Sequence, residues 1–226
     1  MTLPEEDSDT SRALGGLDSD SSSTRLRAAL AVGTAPDPRS VGALVERCAV
    51  EPEFLVRDML TWALTRHSPS TTVPRLIAEL RSERPQARSQ ALHTLSKIGD
   101  RRAWPAITRA LLADPDDEVA RSAWRAAVVL VPEGQEEGLA EILSTQLGRG
   151  GHETRRSLSR ALVALGEVAV PALRAATEAT DAEPGAREHA IATERLYRDP
   201  EAGFTFAIEE AKRIMVLGRP EQEGGG

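Results

Sequence analysis

Three observations predict an all-α fold, an α-solenoid of about six helical hairpins. An arginine returns at Arg25, Arg57, Arg88, Arg121, Arg155 and Arg187, at intervals of 31 to 34 residues. Apolar side chains recur three, six and seven positions after these arginines, the spacing of one helix face. Turn residues separate the apolar segments at the same period. A fixed repeat of this length marks stacked helical units, none of which can bury its apolar face alone.

The first helix of each unit carries its arginine. Three positions on stand Ala28, Leu60, Ala91, Trp124, Leu158 and Ala190. Seven positions on stand Val32, Leu64, Leu95, Val128 and Leu162, then Glu194 as the one break. The stripe is rich in alanine and leucine, which lets backbones approach closely. A turn follows in each unit, at Pro36-Asp37-Pro38, Ser68-Pro69, Gly99-Asp100, Pro132-Glu133-Gly134, Gly166-Glu167 and Asp199-Pro200. The second helices are predicted over 41–50, 72–80, 104–112, 139–147, 168–176 and 202–215. Val73-Pro74, Trp104-Pro105 and Val170-Pro171 recur in register near their starts, where a missing N–H costs little. Polar turns such as Asp114-Pro115-Asp116-Asp117 supply carboxylates to cap the next first helix.

The residues Ala87-Arg88-Ser89-Gln90-Ala91-Leu92, then Ile98-Gly99-Asp100 and Trp104-Pro105-Ala106-Ile107, with a second copy at Val119-Ala120-Arg121, resemble HEAT repeats. Within them the pattern is similar to the short class named after phycobilisome-lyase HEAT-like repeats. The resemblance covers roughly residues 18–216 and implies a bacterial binding scaffold.

The domain organisation expected is an acidic, disordered tail over 1–17, the solenoid over 18–216 and a flexible end over 217–226. Of the net charge of −7, most lies in residues 1–20, which hold six acids and one base. The solenoid itself is nearly neutral and lacks the clustered cations of a nucleic-acid groove. The lone Cys48 excludes an intrachain disulfide and reads as a small core residue. The start Met1-Thr2-Leu3-Pro4-Glu5-Glu6-Asp7 lacks the basic and apolar runs of a secretory signal, and no apolar run has the roughly 20 residues of a membrane span. The expected location is cytoplasmic.

Twelve positions after each arginine stands an acid in five units of six, among them Asp37, Asp100 and Asp199. The recurrence of acid with base reads as a structural ladder, each arginine reaching an acid at the turn or in the next unit, rather than as an anion-binding stripe. The most ligand-like cluster is Trp62 and Arg66 on one first helix with His93 and Lys97 on the next; spacing of four puts each pair on one face. Packing between repeats is the competing reading of Trp62 and His93. Arg47, Arg75, Glu79, Arg109 and Arg174 are candidates for a partner-binding face on the second helices, which usually line the concave side of a solenoid. Their mixed signs suit a protein or peptide.

No catalytic constellation, metal-ligand spacing or cofactor motif stands out. His67, His93, His152 and His189 lie far apart, and Gly148-Arg149-Gly150-Gly151 lacks the ending of a phosphate loop. The expectation is therefore a non-catalytic scaffold for a protein or peptide partner, without cofactor or metal. Two alternatives stay open: a nucleic-acid-acting protein resembling the DNA glycosylases of this fold, and a small-ligand module beside a bacterial regulator. The oligomeric state is not legible.

Overall fold

The computed structural model describes residues 11–179 and 183–199. Among them are α1 (Ser22–Thr34), α2 (Val41–Cys48), α3 (Phe54–Arg66), α4 (Pro69–Glu79), α5 (Pro85–Ile98) and α6 (Arg109–Leu112). The array continues with α7 (Asp117–Leu130), α8 (Glu136–Ser144), α9 (His152–Ala164), α10 (Val170–Glu178) and α11 (Pro184–Arg198). No strand occurs among the described residues. The odd-numbered helices stack on one another in chain order, α1 on α3 through to α9 on α11, and the even-numbered helices form a second layer beside them. This is a two-layer helical solenoid, with its core between the layers.

Chain register explains the core. The residues three positions after the arginines, from Ala28 to Ala190, are all buried. At seven positions on, Val32, Leu64, Leu95 and Leu162 are buried, while Val128 and Glu194 are half-buried. At six positions on, Ala31 is exposed, but Ala63, Thr94, Ala127, Ala161 and Thr193 are buried.

Asp116 caps α7, its Oδ1 accepting from the N–H groups of Glu118 (2.9 Å) and Val119 (3.1 Å). Gly99 ends α5 with φ of 70°, a left-handed conformation that glycine adopts without a Cβ penalty.

Three expectations need correction. The tail does not extend to residue 17: residues 11–16 are helical and Leu17 is buried in the core. Pro74 is not at a helix start, because α4 begins a turn earlier at Pro69 and holds Pro74 in its interior. The second helix expected over 104–112 is broken into a 3₁₀ segment, Arg101–Ala106, and the four-residue α6. Pro105 lies inside that 3₁₀ segment, where it has no N–H to give a continuing α-helix. The second helix expected over 202–215, and the C-terminal end over 217–226, lie outside the described residues.

Spacing between first helices varies with the side chains at their contacts. The α1–α3 pair is close because Gly33 admits the Trp62 ring. A Cβ at Gly33 would lie 2.4 Å from Trp62 Cζ3 and 2.9 Å from the Ala63 Cα. Gly33→Ala is therefore expected to lower stability by about 1–3 kcal/mol from overpacking, more than the roughly 1 kcal/mol that alanine gains in a helix. Urea unfolding checks this; an unchanged or raised midpoint would mean that the helices separate at no cost. The α5–α7 pair is also close, with Ser96 and Ala126 at the equivalent register, whereas α3 and α5 carry Thr65 and His93 there and pack more loosely.

Candidate functional site

Three of the six repeating arginines, Arg25, Arg57 and Arg88, clamp the turns that precede their own helices. Arg25 Nη1 donates to the carbonyls of Ser19 and Asp20, both at 2.9 Å. Arg57 does the same to Glu51 (3.0 Å) and Pro52 (2.6 Å), and Arg88 to Ser82 (2.8 Å) and Glu83 (3.2 Å). The remaining edge of Arg25 grips Glu51, with Nε to Oε2 at 2.7 Å and Nη2 to Oε1 at 2.8 Å. Arg88 holds Asp114 in the same two-bond geometry, at 3.0 Å each.

The acids twelve positions after Arg25 and Arg88 are thus not those arginines' partners, as the ladder reading allowed. Asp37 and Asp100 instead cap their own 3₁₀ turns through the N–H groups of Arg39 (2.8 Å) and Arg102 (3.0 Å) and bind those side chains. Both carboxyls are held below their usual range, chiefly by these arginine hydrogen bonds. The physical reason is reach: the turn acid sits at the far end of the first helix from the arginine. Arg121 turns to Glu118 (3.3 Å), Arg155 is exposed, Arg187 donates to the Ala179 carbonyl (2.6 Å), and Asp199 closes α11 with its N–H on the Arg195 carbonyl. The acid 26 positions after Arg25 and Arg88 is the signal that sequence reading missed.

The loose α3–α5 contact opens a groove of about 520 Å³, within the roughly 300–1,000 Å³ of ligand pockets. From α3 it takes Phe54, Arg57, Asp58 and Thr61. From α5 it takes Gln86, Ser89, Gln90 and His93. The cap and body of α7 close it with Asp116, Glu118, Ser122 and Arg125. Phe54 and its neighbour Leu55 stand at 68% and 69% exposure, the most exposed large apolar side chains described. The Arg57 guanidinium lies over the Phe54 ring, 5.9 Å from its centre.

Polar capacity in this groove is only partly used. Arg125 donates to Ser122 Oγ (2.9 Å) and lies 3.7 Å from Glu118, and burial lowers its pKa. Burial likewise pushes His93 below the ordinary imidazole range, with Arg125 and Lys97 adding to the effect and Asp58 opposing it. Thr61 is 3% exposed and its hydroxyl has no hydrogen-bond partner.

Of the four residues of the expected ligand patch, only His93 lines the groove. Trp62 packs on Gly33 toward the preceding unit, so the same register position faces a different neighbour in each repeat. Arg66 is exposed and outside the groove; Lys97 is exposed and acts on it only through its charge. Among the second-helix candidates, Arg47 is committed to the buried Glu51 (2.8 Å) and is not free for a partner. Arg174 is bound to Glu194 (3.3 Å). Arg75 and Arg109 are exposed and Glu79 is half-buried, but the groove lies on the first helices and includes none of them.

The other buried titratable groups serve packing. Cys48 is buried and its thiol is pushed up to about 12 by burial, so it does not ionise at neutral pH. His67 meets the Ala63 carbonyl through Nδ1 (2.8 Å) and Ser40 Oγ through Nε2 (2.8 Å). His189 Nδ1 accepts from the Gly148 N–H (3.0 Å), and its Nε2 lies 3.0 Å from the Arg155 carbonyl and 2.9 Å from Ser159 Oγ. A carbonyl only accepts and an N–H only donates, so His189 is neutral with its proton on Nε2. No cluster of three or more metal-ligating side chains occurs among the described residues.

Burial lowers the His189 pKa below 6.5, and the Arg155 charge adds to this against the Arg155 carbonyl's opposing hydrogen bond. The unfolded chain then takes up a proton that the folded one refuses. The stabilisation is complete above pH 6.5 and falls as pH drops toward the folded-state value. His93 has the same sign. Urea midpoints are expected to drop between pH 7.5 and 5.5, and less so in His189→Asn. Equal midpoints at the two pH values would contradict a neutral buried ring.

Residues 51–128 match the family model for HEAT repeats. The matched stretch is similar to HEAT repeats over about a third of the chain. It spans α3 to most of α7, the helices that form the groove. The structure of human deoxyhypusine hydroxylase in complex with glycerol is similar to this chain at 18% identity and a TM-score of 0.47, covering 92% of this chain and 96% of that one. A comparison with curated proteins found no match. The expectation that the chain is no enzyme is corrected: a helical-repeat architecture is no ground for excluding catalysis, and the similar structure is by name that of a hydroxylase. No helix of the described residues is long and apolar enough to cross a membrane.

Proposed function

We propose that this chain is a HEAT-repeat interaction module that binds a protein or peptide partner in the groove between α3, α5 and α7. The observation that carries this reading is the opening itself: two first helices held apart, with exposed Phe54 at the rim and the unpartnered Thr61 hydroxyl inside. The apolar rim supplies area and the polar floor supplies orientation. This moves the contact surface from the second helices, where the concave-face expectation had it, to the first helices. The groove contains acids as well as cations, which disfavours a nucleic-acid backbone. The period of 31 to 34 residues supports assigning the repeats to the short phycobilisome-lyase HEAT-like class, and the single buried cysteine suits a reducing, cytoplasmic setting.

Photo-crosslinking tests the reading. A photoreactive amino acid at Phe54 in the full chain, expressed in its native cells, is expected to yield one dominant protein adduct. The same group at Arg75 on the second-helix face is expected to yield none. Adducts at Arg75 alone, or none at Phe54, would overturn the proposal.

A further inference from the structure

Resting on the groove as the binding site, we propose that its ligand is a peptide bearing a carboxylate, held by the Nε and Nη2 edge of Arg57 and by the Thr61 hydroxyl. The carboxylate is a free C-terminus or an acidic side chain; the chemistry recognised is the same.

Comparison of the repeats leads to Arg57. In Arg25 and Arg88, Nη1 holds two turn carbonyls while Nε and Nη2 grip a carboxylate 26 residues ahead. Arg57 uses Nη1 in the same way. Its other edge has no carboxylate among the described residues, and Glu83, the acid at the matching position, is exposed and makes no ion pair. The guanidinium is held in place by two carbonyls and the Phe54 ring, so its free edge is fixed before a ligand arrives. A planar fork of this kind takes a carboxylate in two parallel hydrogen bonds.

Thr61 supplies the second, independent observation. A threonine within a helix commonly returns its hydroxyl to the carbonyl four residues back. Thr34, Thr72, Thr94, Thr177 and Thr193 all do so in this chain. Thr61 does not, although it is buried and lines the groove. Its donor and acceptor have no partner among the described residues.

The surrounding charges select a peptide over a simple anion. Asp116 is used on the α7 N–H groups, and Glu118 faces Arg121 and Arg125. Asp58 has no ion pair among the described residues, lies beside Arg57 in the chain and also lines the groove. It repels a multivalent anion but accepts from peptide N–H groups, and Gln90 offers a side-chain amide for the same backbone.

The test uses the immobilised full chain and three N-acetylated hexapeptide libraries. One has a free C-terminal carboxylate and no acids, one is C-terminally amidated with a single Glu, and one is amidated with no acid. The first or second is expected to be retained about tenfold over the third, as a charge-assisted hydrogen bond would give. Retention of the first alone assigns a C-terminus, and of the second alone an acidic side chain. Arg57→Gln is expected to abolish the preference. Thr61→Val is expected to weaken retention several-fold while leaving urea stability equal or higher, since it removes an unpartnered hydroxyl. Equal retention of all three libraries, elution by low-millimolar inorganic phosphate, or loss of stability in Thr61→Val would each overturn the inference. The two readings fail separately: a Phe54 photo-adduct undiminished in Arg57→Gln sinks the carboxylate alone, whereas an absent adduct sinks the partner reading.

Discussion

Glu51→Ala is expected to lower the unfolding free energy by about 3–5 kcal/mol, the cost of breaking a buried charge pair from one side. Glu51 is 0% exposed and accepts from Arg25 twice, from Arg47 Nε (2.8 Å) and from the Glu53 N–H (3.0 Å). These bonds tie α1 and α2 to the start of α3, so one carboxylate joins the first unit to the second. Its removal leaves two guanidiniums facing each other without a counter-charge. Glu51→Gln keeps the shape and one acceptor and is expected to cost less.

The same carboxylate sets an acid limit. Burial pushes its pKa up, but the hydrogen bonds from Arg25, the Glu53 N–H and Arg47 overcome this and bring it to about 2. The folded state thus binds its proton less readily than the unfolded one. The stabilisation is present above the ordinary value of 4.5 and is lost as pH falls toward 2. Urea titrations of both proteins check this, with the gap between them narrowing from pH 5 to pH 2. A loss under 1 kcal/mol at pH 7, or a gap independent of pH, would show that the arginines find other partners.

Trp124→Ala is expected to cost about 3–5 kcal/mol, the range for deleting a buried aromatic ring. Trp124 is 0% exposed and its Nε1 donates to the Leu112 carbonyl (2.8 Å). That bond pins the last residue of the four-residue α6 to the middle of α7. Substitution leaves both a cavity and a buried carbonyl without its donor. Trp124→Phe restores much of the volume but not the bond, and is expected to fall between alanine and wild type. Trp104 provides the contrast: it is half-buried and binds Gln135 at the surface (2.9 Å), so its loss is expected to be smaller. Chemical unfolding of the three variants separates these cases, and equal losses at 124 and 104 would contradict the packing described.

The residues that sequence reading placed well are those whose role depends on periodicity. Leu60, Leu64 and Leu95 are buried as the helix stripe requires, and Asp116 caps α7 as its turn chemistry suggests. The candidate patch fared differently. His93 and Trp62 share a register position, yet one lines the groove and the other covers a glycine on the preceding helix. Arg57 looked like every other arginine of the series, and its free edge appears only when Arg25 and Arg88 are seen holding their acids.

The order of helices, the stripe that each buries and the two-layer stacking follow from the sequence alone, because each hairpin contacts mainly its neighbours and short-range periodicity dictates its apolar face. Only the tertiary structure decided which helix pairs close and which stand apart, which acid each arginine holds, and which hydroxyl stays unpaired. Those outcomes depend on side chains about thirty residues apart meeting across a contact, where one glycine or one histidine changes the spacing and no local pattern records it.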